Sequence, residues 1–153
     1  FDPFLPDERA QELGIKKVSL EDAFRQGDII SNHLANNEQT KGMLHGAHFS
    51  QMQDHTTFIN TGRGATIVEV DLIAELQKRP TLTALLDVTL PEPPEANSPF
   101  YTLPNVYLTS HIAGSLNDEV VRMADYMIEE FQRYENEESL MHEVTLEIID
   151  TMA

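Results

Sequence analysis

Residues 82–88 read Leu82-Thr83-Ala84-Leu85-Leu86-Asp87-Val88, a nearly unbroken apolar run with a single acid near its end. So short a run without polar alternation predicts a strand covered on both faces, as in a parallel sheet. Upstream, 70–79 sets Leu72, Ile73 and Leu76 at helical spacing, and Pro80 stops the helix. Before that helix, Thr56-Thr57-Phe58-Ile59-Asn60 is β-branched and aromatic, hence a strand. Downstream, a proline-rich loop over 91–99 leads to a strand over 105–109 and a long amphipathic helix over 117–134.

The same alternation extends to both ends. A short helix over 7–13 carries acids in its first turn, and a strand is expected near Lys17 and Val18. Ser19-Leu20-Glu21-Asp22 has the form of a capping box opening a helix through Phe24, which Gly27 closes. Residues 28–33, with Ile29 and Ile30, predict a strand, 47–53 a helix and 144–152 a final helix. Strands separated by helices pair in parallel through right-handed crossovers, so the expected fold is α/β, a doubly wound parallel sheet. Ligands of such sheets sit beyond the carboxyl ends of the strands. Asn60, Asp87 and Thr109 all stand at or near those ends, and the 91–99 loop is longer than packing requires.

Composition narrows the classes. With 153 residues, 41% hydrophobic and 24% charged, the chain supports one domain with a real core and shows no long disordered stretch. No apolar run is long enough to span a membrane. The sequence opens at Phe1 without the features of a signal peptide, so it is expected to begin inside something larger or to have been processed. The absence of cysteine excludes disulfide scaffolds and thiolate metal sites and fits a cytoplasmic location. A formal charge of -16 argues against nucleic acid or an anionic membrane surface as partner. Glu129, Glu130, Glu135, Glu137 and Glu138 are read as a solvated helix face.

Four groups of residues near strand ends could carry chemistry. In Ile59-Asn60-Thr61-Gly62-Arg63-Gly64, glycines flank an arginine whose planar fork can grip a carboxylate in two parallel hydrogen bonds. Asp87 is an acid at the end of an apolar strand. Glu92 lies on the stiff loop Pro91-Glu92-Pro93-Pro94-Glu95, and His111 opens His111-Ile112-Ala113-Gly114 just after a strand. Taken singly, each has an ordinary explanation as a surface turn, a cap, a solvated loop acid or a solvated histidine. Their combination and order are far more specific.

That order, with "INTGRGATIVEVDLIAELQ", "ALLDVTLPEPPEANSPFYTLPNVYLTSHIAGS" and, upstream, "SNHLANNEQTKGML", resembles the D-isomer-specific 2-hydroxyacid dehydrogenases. The likeness extends over nearly the whole chain and implies a Rossmann-type NAD-binding domain. It implies hydride transfer between NAD(H) and a D-2-hydroxy acid or 2-oxo acid. His111 then corresponds to the general acid/base, Glu92 to the carboxylate that orients its imidazole, and Arg63 to the anchor of the substrate carboxylate. Asp87 corresponds to an acid on the nicotinamide carboxamide side. Asp2 corresponds to the acid that binds the adenosine ribose hydroxyls, which favours NAD over NADP. Leu34, Ala35 and Thr40 match the loop along the adenine and phosphate side, and Thr61, Gly62, Ala113 and Gly114 match neighbours of the nicotinamide end. The family also implies a homodimer.

The pattern departs from the family in several places. The Gly-rich phosphate loop, with its strand and helix, is expected before Asp2, so the first βα unit is missing, and Gly42 and Gly46 do not replace it. Residues 1–135 thus read as a partial dinucleotide-binding domain, and 136–153 as a segment returning to an absent substrate domain. The isolated chain is expected to be inactive. Thr89 and Leu90 stand where the family often has an aromatic and an acid, and Ala35 where proline is common. A second reading is a non-catalytic interaction or dimerisation module on the same fold, corepressor-like or a remnant. Retention of Arg63, Glu92 and His111 argues against it. His45, His48 and His55 lack a completing ligand, so no metal is expected.

Overall fold

The computed structural model describes residues 1–146, 148 and 149. Four strands, β1 (Ile29–Asn32), β2 (Thr57–Asn60), β3 (Thr83–Leu86) and β4 (Val106–Leu108), form one sheet in that order, every neighbouring pair parallel. Strand order follows chain order, so each crossover steps the same way, as in one wing of a doubly wound sheet. The register aligns Asn32 with Asn60, Asn60 with Leu86, and Leu86 with Leu108. The strands therefore end level, and the residues that follow them share one edge.

Five α-helices accompany the sheet among the described residues: α1 (Asp7–Glu12), α2 (Leu20–Gln26), α3 (Gly46–Phe49), α4 (Glu69–Lys78) and α5 (Asp118–Glu135). The Ser19 hydroxyl caps α2 by accepting from the Asp22 N–H at 3.1 Å. Gly27 ends that helix at φ −81°, not in the left-handed region. Glycine is needed there for space, because a Cβ would lie 2.8 Å from the Ala23 carbonyl oxygen and 3.0 Å from Ile30 Cγ1. In α4, Glu69 and Asp71 favour the positive end of the helix dipole, and Leu72 and Leu76 are buried. Asp71 Oδ2 also accepts from the Gly46 N–H at 2.7 Å, joining α4 to the start of α3.

The core lies on one face of the sheet. Phe24 of α2, Phe49 of α3, Leu72 and Leu76 of α4, and Ile30, Phe58, Ala84 and Leu86 of the strands belong to one buried cluster. The Phe49 and Phe58 rings meet edge to face at 5.4 Å. The two-sided burial expected for the third strand is not found. Ala84 and Leu86 are buried but Leu85 between them is 37% exposed, and Ile29 and Tyr107 of neighbouring strands are 68% and 60% exposed. Helices α2, α3 and α4 pack on the face that carries Ile30 and Phe58.

Other expectations need correction. No strand forms at Lys17 and Val18; the Lys17 ammonium instead tethers α1, donating to the Leu5 carbonyl at 2.6 Å and to Asp7 Oδ1 at 3.0 Å. The helix expected over 47–53 stops at Phe49, and the chain turns through His55 at φ 67° before β2. The long helix after β4 forms as its periodicity predicts, yet it buries none of its residues. Glu130 on it accepts from the backbone N–H groups of Met141 and His142, which folds that segment back along α5. Of the final helix expected over 144–152, residues 147 and 150–152 lie outside the described residues, and 144–146 are not helical.

Phe58 is fully buried at the centre of the aromatic cluster. Phe58→Ala should lower unfolding free energy by roughly 3–5 kcal/mol, read from urea denaturation midpoints. A loss below about 1 kcal/mol would show that the cluster is not the core.

Candidate active site

The carboxyl edge of the sheet is organised first by two asparagines. Asn32 and Asn60 end β1 and β2 in register, and both are buried. The Asn32 amide donates to Asn60 Oδ1 at 3.0 Å and to Thr66 Oγ1 at 2.8 Å, while its own Oδ1 accepts from the Leu34 N–H at 3.1 Å. Asn60 Oδ1 also accepts from the Gly62 N–H at 3.2 Å, and the Thr66 hydroxyl donates to the Arg63 carbonyl at 2.7 Å. Buried amides are costly unless satisfied. Satisfying these fixes the backbone of two loops, the one at Leu34 and the turn that carries Arg63.

The Arg63 turn is wedged between its neighbours. A Cβ at Gly62 would stand 3.2 Å from the Asn32 carbonyl oxygen, and one at Gly64 would stand 2.1 Å from the Thr89 carbonyl carbon. Both glycines thus permit close backbone approach, with the 32–34 segment on one flank and the loop leading to Glu92 on the other. The guanidinium itself is exposed and, among the described residues, donates only to the Gly62 carbonyl, at 2.7 Å. It makes no hydrogen bond to Asp87, Glu92 or His111 among the described residues.

Asp87 follows β3 and is 6% exposed. Its Oδ1 accepts from the Thr109 hydroxyl and, at 2.8 Å, from the Ile112 N–H; Oδ2 accepts from the Ala113 N–H at 2.9 Å. Burial alone would push this carboxyl up. The Thr109, Ile112 and Ala113 donors and the nearby His111 outweigh it and hold Asp87 below the ordinary carboxylate range. The chain between these donors contains His111, which stands at φ 56°, a left-handed conformation costly for a non-glycine residue. Its imidazole Nδ1 lies 2.6 Å from Glu92 Oε1. At 46% and 41% side-chain exposure this pair adds little stability but defines which ring nitrogen faces outward.

The expected cofactor residues fall into separate groups. Asp2, Leu34, Ala35 and Thr40 line one cleft of about 340 Å³ beside the ends of β1. Asp87, Glu92 and His111 line another of about 630 Å³, together with Tyr101 and Leu108. Thr61, Gly62 and Arg63 lie in the turn after β2 and border neither cleft, and Ala113 and Gly114 lie beyond the second. Asp2 is exposed, and its Oδ1 accepts from the Phe4 N–H at 2.8 Å and the Leu5 N–H at 3.2 Å. The Thr40 hydroxyl is turned inward, donating to the Ala35 carbonyl and accepting from the Asn37 N–H at 3.0 Å, so it shapes its loop. His45 and His48 are likewise spent on capping α3, and no metal-binding cluster occurs among the described residues.

Sequence reasoning missed Asn32, Thr66 and the anchoring contacts of Asp87. A signal for the first was present: "IISN" and "TFIN" each end an apolar strand in asparagine. Nothing local marks Thr66, whose hydroxyl matters only because Asn32 reaches it from another strand end.

Residues 1–113 match the family described as D-isomer specific 2-hydroxyacid dehydrogenase, NAD binding domain. The chain belongs to this family. It is 32% identical over 118 residues to a D-3-phosphoglycerate dehydrogenase of Archaeoglobus fulgidus, covering 77% of this chain and 22% of that protein. It is 34% identical over 114 residues to a glyoxylate reductase of Aeropyrum pernix, covering 74% of this chain and 34% of the relative. Among solved structures, the apo D-mandelate dehydrogenase of Rhodotorula graminis superposes with a TM-score of 0.81 at 26% identity, over 92% of this chain and 41% of that one. An NADPH-dependent glyoxylate/hydroxypyruvate reductase of Sinorhizobium meliloti, solved with NADP and sulfate, superposes at 0.73 with 27% identity, over 90% of this chain and 51% of that one. The chain thus spans between about a fifth and a third of these two curated relatives.

Because Asp87 titrates lower in the folded chain than in the unfolded one, its stabilisation is present above the ordinary carboxylate range and is lost as pH falls through the lowered native value. Asp87→Asn should cost roughly 1–3 kcal/mol near neutral pH by urea denaturation. The difference from wild type should shrink below about pH 4. A cost that does not change with pH would refute the ionised anchor.

Proposed function

We propose that this chain carries the cofactor-binding and proton-transfer residues of a D-2-hydroxyacid dehydrogenase that uses NAD. The observation that carries the proposal is the His111–Glu92 pair, 2.6 Å apart at the carboxyl edge of a parallel sheet and held there by the buried Asp87 carboxylate. With Nδ1 committed to Glu92, His111 Nε2 is the atom that gives a proton to the carbonyl oxygen of a 2-oxo acid or takes one from a 2-hydroxy acid. Arg63, exposed on a turn fixed by Asn60 and Thr66, pairs with the substrate carboxylate and draws charge from the carbonyl.

The residues present suit the two ends of a dinucleotide. Asp2 offers an exposed carboxylate acceptor at a cleft with the apolar wall of Leu34 and Ala35, a combination suited to a ribose and its purine. An acid at that position disfavours a 2′-phosphate, which supports NAD over NADP. Thr61, Gly62, Asp87, Ala113 and Gly114 are assigned to the opposite, nicotinamide end, where the Gly62 and Ala113 N–H groups are already spent on Asn60 and Asp87 and so hold the shape of the site. Bound cofactor would supply the hydride acceptor or donor, and the reaction requires no metal.

The same reading includes a homodimer and a cytoplasmic location. Self-association is supported by the open apolar side chains of α5, among them Met127, Phe131 and Tyr134, each at least 60% exposed. A cysteine-free chain needs no oxidising compartment. Residues 136–153 are proposed to serve a substrate-binding part of the protein.

Full-length protein should oxidise NADH with a 2-oxo acid such as glyoxylate, hydroxypyruvate or pyruvate, and use NADPH less well. His111→Gln should lower kcat by roughly a hundred- to ten-thousand-fold with an unchanged melting temperature. Arg63→Lys, which keeps the charge but loses the fork, should mainly raise KM. Absence of turnover with every 2-oxo acid tried would reject the dehydrogenase reading, and sedimentation of a monomer would reject the dimer.

A further inference from the structure

Glu92 can orient His111 only if the loop that carries it is itself held. Four successive residues of that loop are tied down. The Thr89 carbonyl packs directly against Gly64. The Leu90 N–H donates to Glu69 Oε1 at 2.6 Å. The Thr89 hydroxyl donates to the Pro91 carbonyl at 2.8 Å, and the Glu92 carboxylate then meets the imidazole. Leu90 is 60% exposed, so its side chain does not pin the loop. The Glu69 carboxylate is the one side chain from another element that hydrogen-bonds to the backbone of residues 89–92 among the described residues.

We infer that Glu69 is a positioning residue for the proton-transfer pair, acting through the Leu90 N–H to hold Glu92 against His111 Nδ1. The inference rests on the function proposed above. It makes the pair the meeting point of two carboxylate anchors: Asp87 fixes the imidazole side through Ile112 and Ala113, and Glu69 fixes the carboxylate side through Leu90. The competing role for Glu69 is ordinary, an acid in the first turn of α4 favouring the helix dipole. Its environment fits the anchor better. Glu69 is half-buried, and burial pushes its carboxyl up even though the Leu90 N–H draws it down. An acid kept only for the dipole would be better placed in open solvent.

The test uses full-length protein. Glu69→Ala should lower kcat roughly 10- to 100-fold, as small misplacements of catalytic groups do, with little change in KM for the 2-oxo acid. Glu69→Gln, whose amide oxygen can still accept from Leu90, should recover most of that loss. In a Glu92→Ala background, Glu69→Ala should add little further loss, because the two act on one contact. Additive losses, or a Glu69→Ala enzyme that falls only in melting temperature while kcat stays at wild type, would overturn the inference. If the protein turns over no 2-oxo acid, the proposed function fails first and the positioning claim remains measurable. Nitrogen-15 NMR of the His111 ring should show a fixed Nδ1–H tautomer in wild type and Glu69→Gln, and mixed tautomers in Glu69→Ala and Glu92→Ala. A fixed tautomer in Glu69→Ala would refute it on that readout too.

Discussion

An anion at the end of an apolar strand must be solvated by something, and at Asp87 little water reaches it. The Thr109 hydroxyl and the Ile112 and Ala113 N–H groups do so instead, which bends the chain after β4 around the carboxylate. His111 sits inside that bend and takes the left-handed conformation the bend imposes. A single buried charge therefore sets the position of the imidazole, and the strain at His111 is offset by the backbone hydrogen bonds of Ile112 and Ala113 to Asp87.

The rest of the edge is built on close backbone approach. Asn32 and Asn60 satisfy each other across two strand ends and hold the loops above them. Gly62 and Gly64 then let the Arg63 turn press against the 32–34 segment on one flank and Thr89 on the other. Close-packed interiors transmit displacement rather than absorb it. The cleft at the end of β1, the arginine and the glutamate loop consequently share one rigid frame, although their sequence separations are large.

The two faces of the sheet differ in kind. One carries the aromatic cluster of Phe24, Phe49 and Phe58 and supplies the apolar burial that makes the edge rigid. The other leaves Ile29, Leu85 and Tyr107 open, and α5 likewise presents its apolar stripe to solvent.

Periodicity alone carried the element order, because a period of 3.6 and a short apolar run are local properties that survive tertiary packing. Thus β2, β3, β4, α4 and α5 stand within a residue or two of where the pattern puts them, and the order Arg63, Asp87, Glu92, His111 could be read as a family pattern without coordinates. Lys17 and Val18 show the limit: a strand needs a partner, and partnership is not written in two residues. What only the tertiary structure decided is which groups touch. The bond from Asp87 to Ile112 and Ala113 spans 25 and 26 residues, Glu69 to Leu90 spans 21, and Asn32 to Thr66 spans 34. Each depends on parallel strands ending level, a consequence of register, and register is set by packing between segments rather than by any one of them.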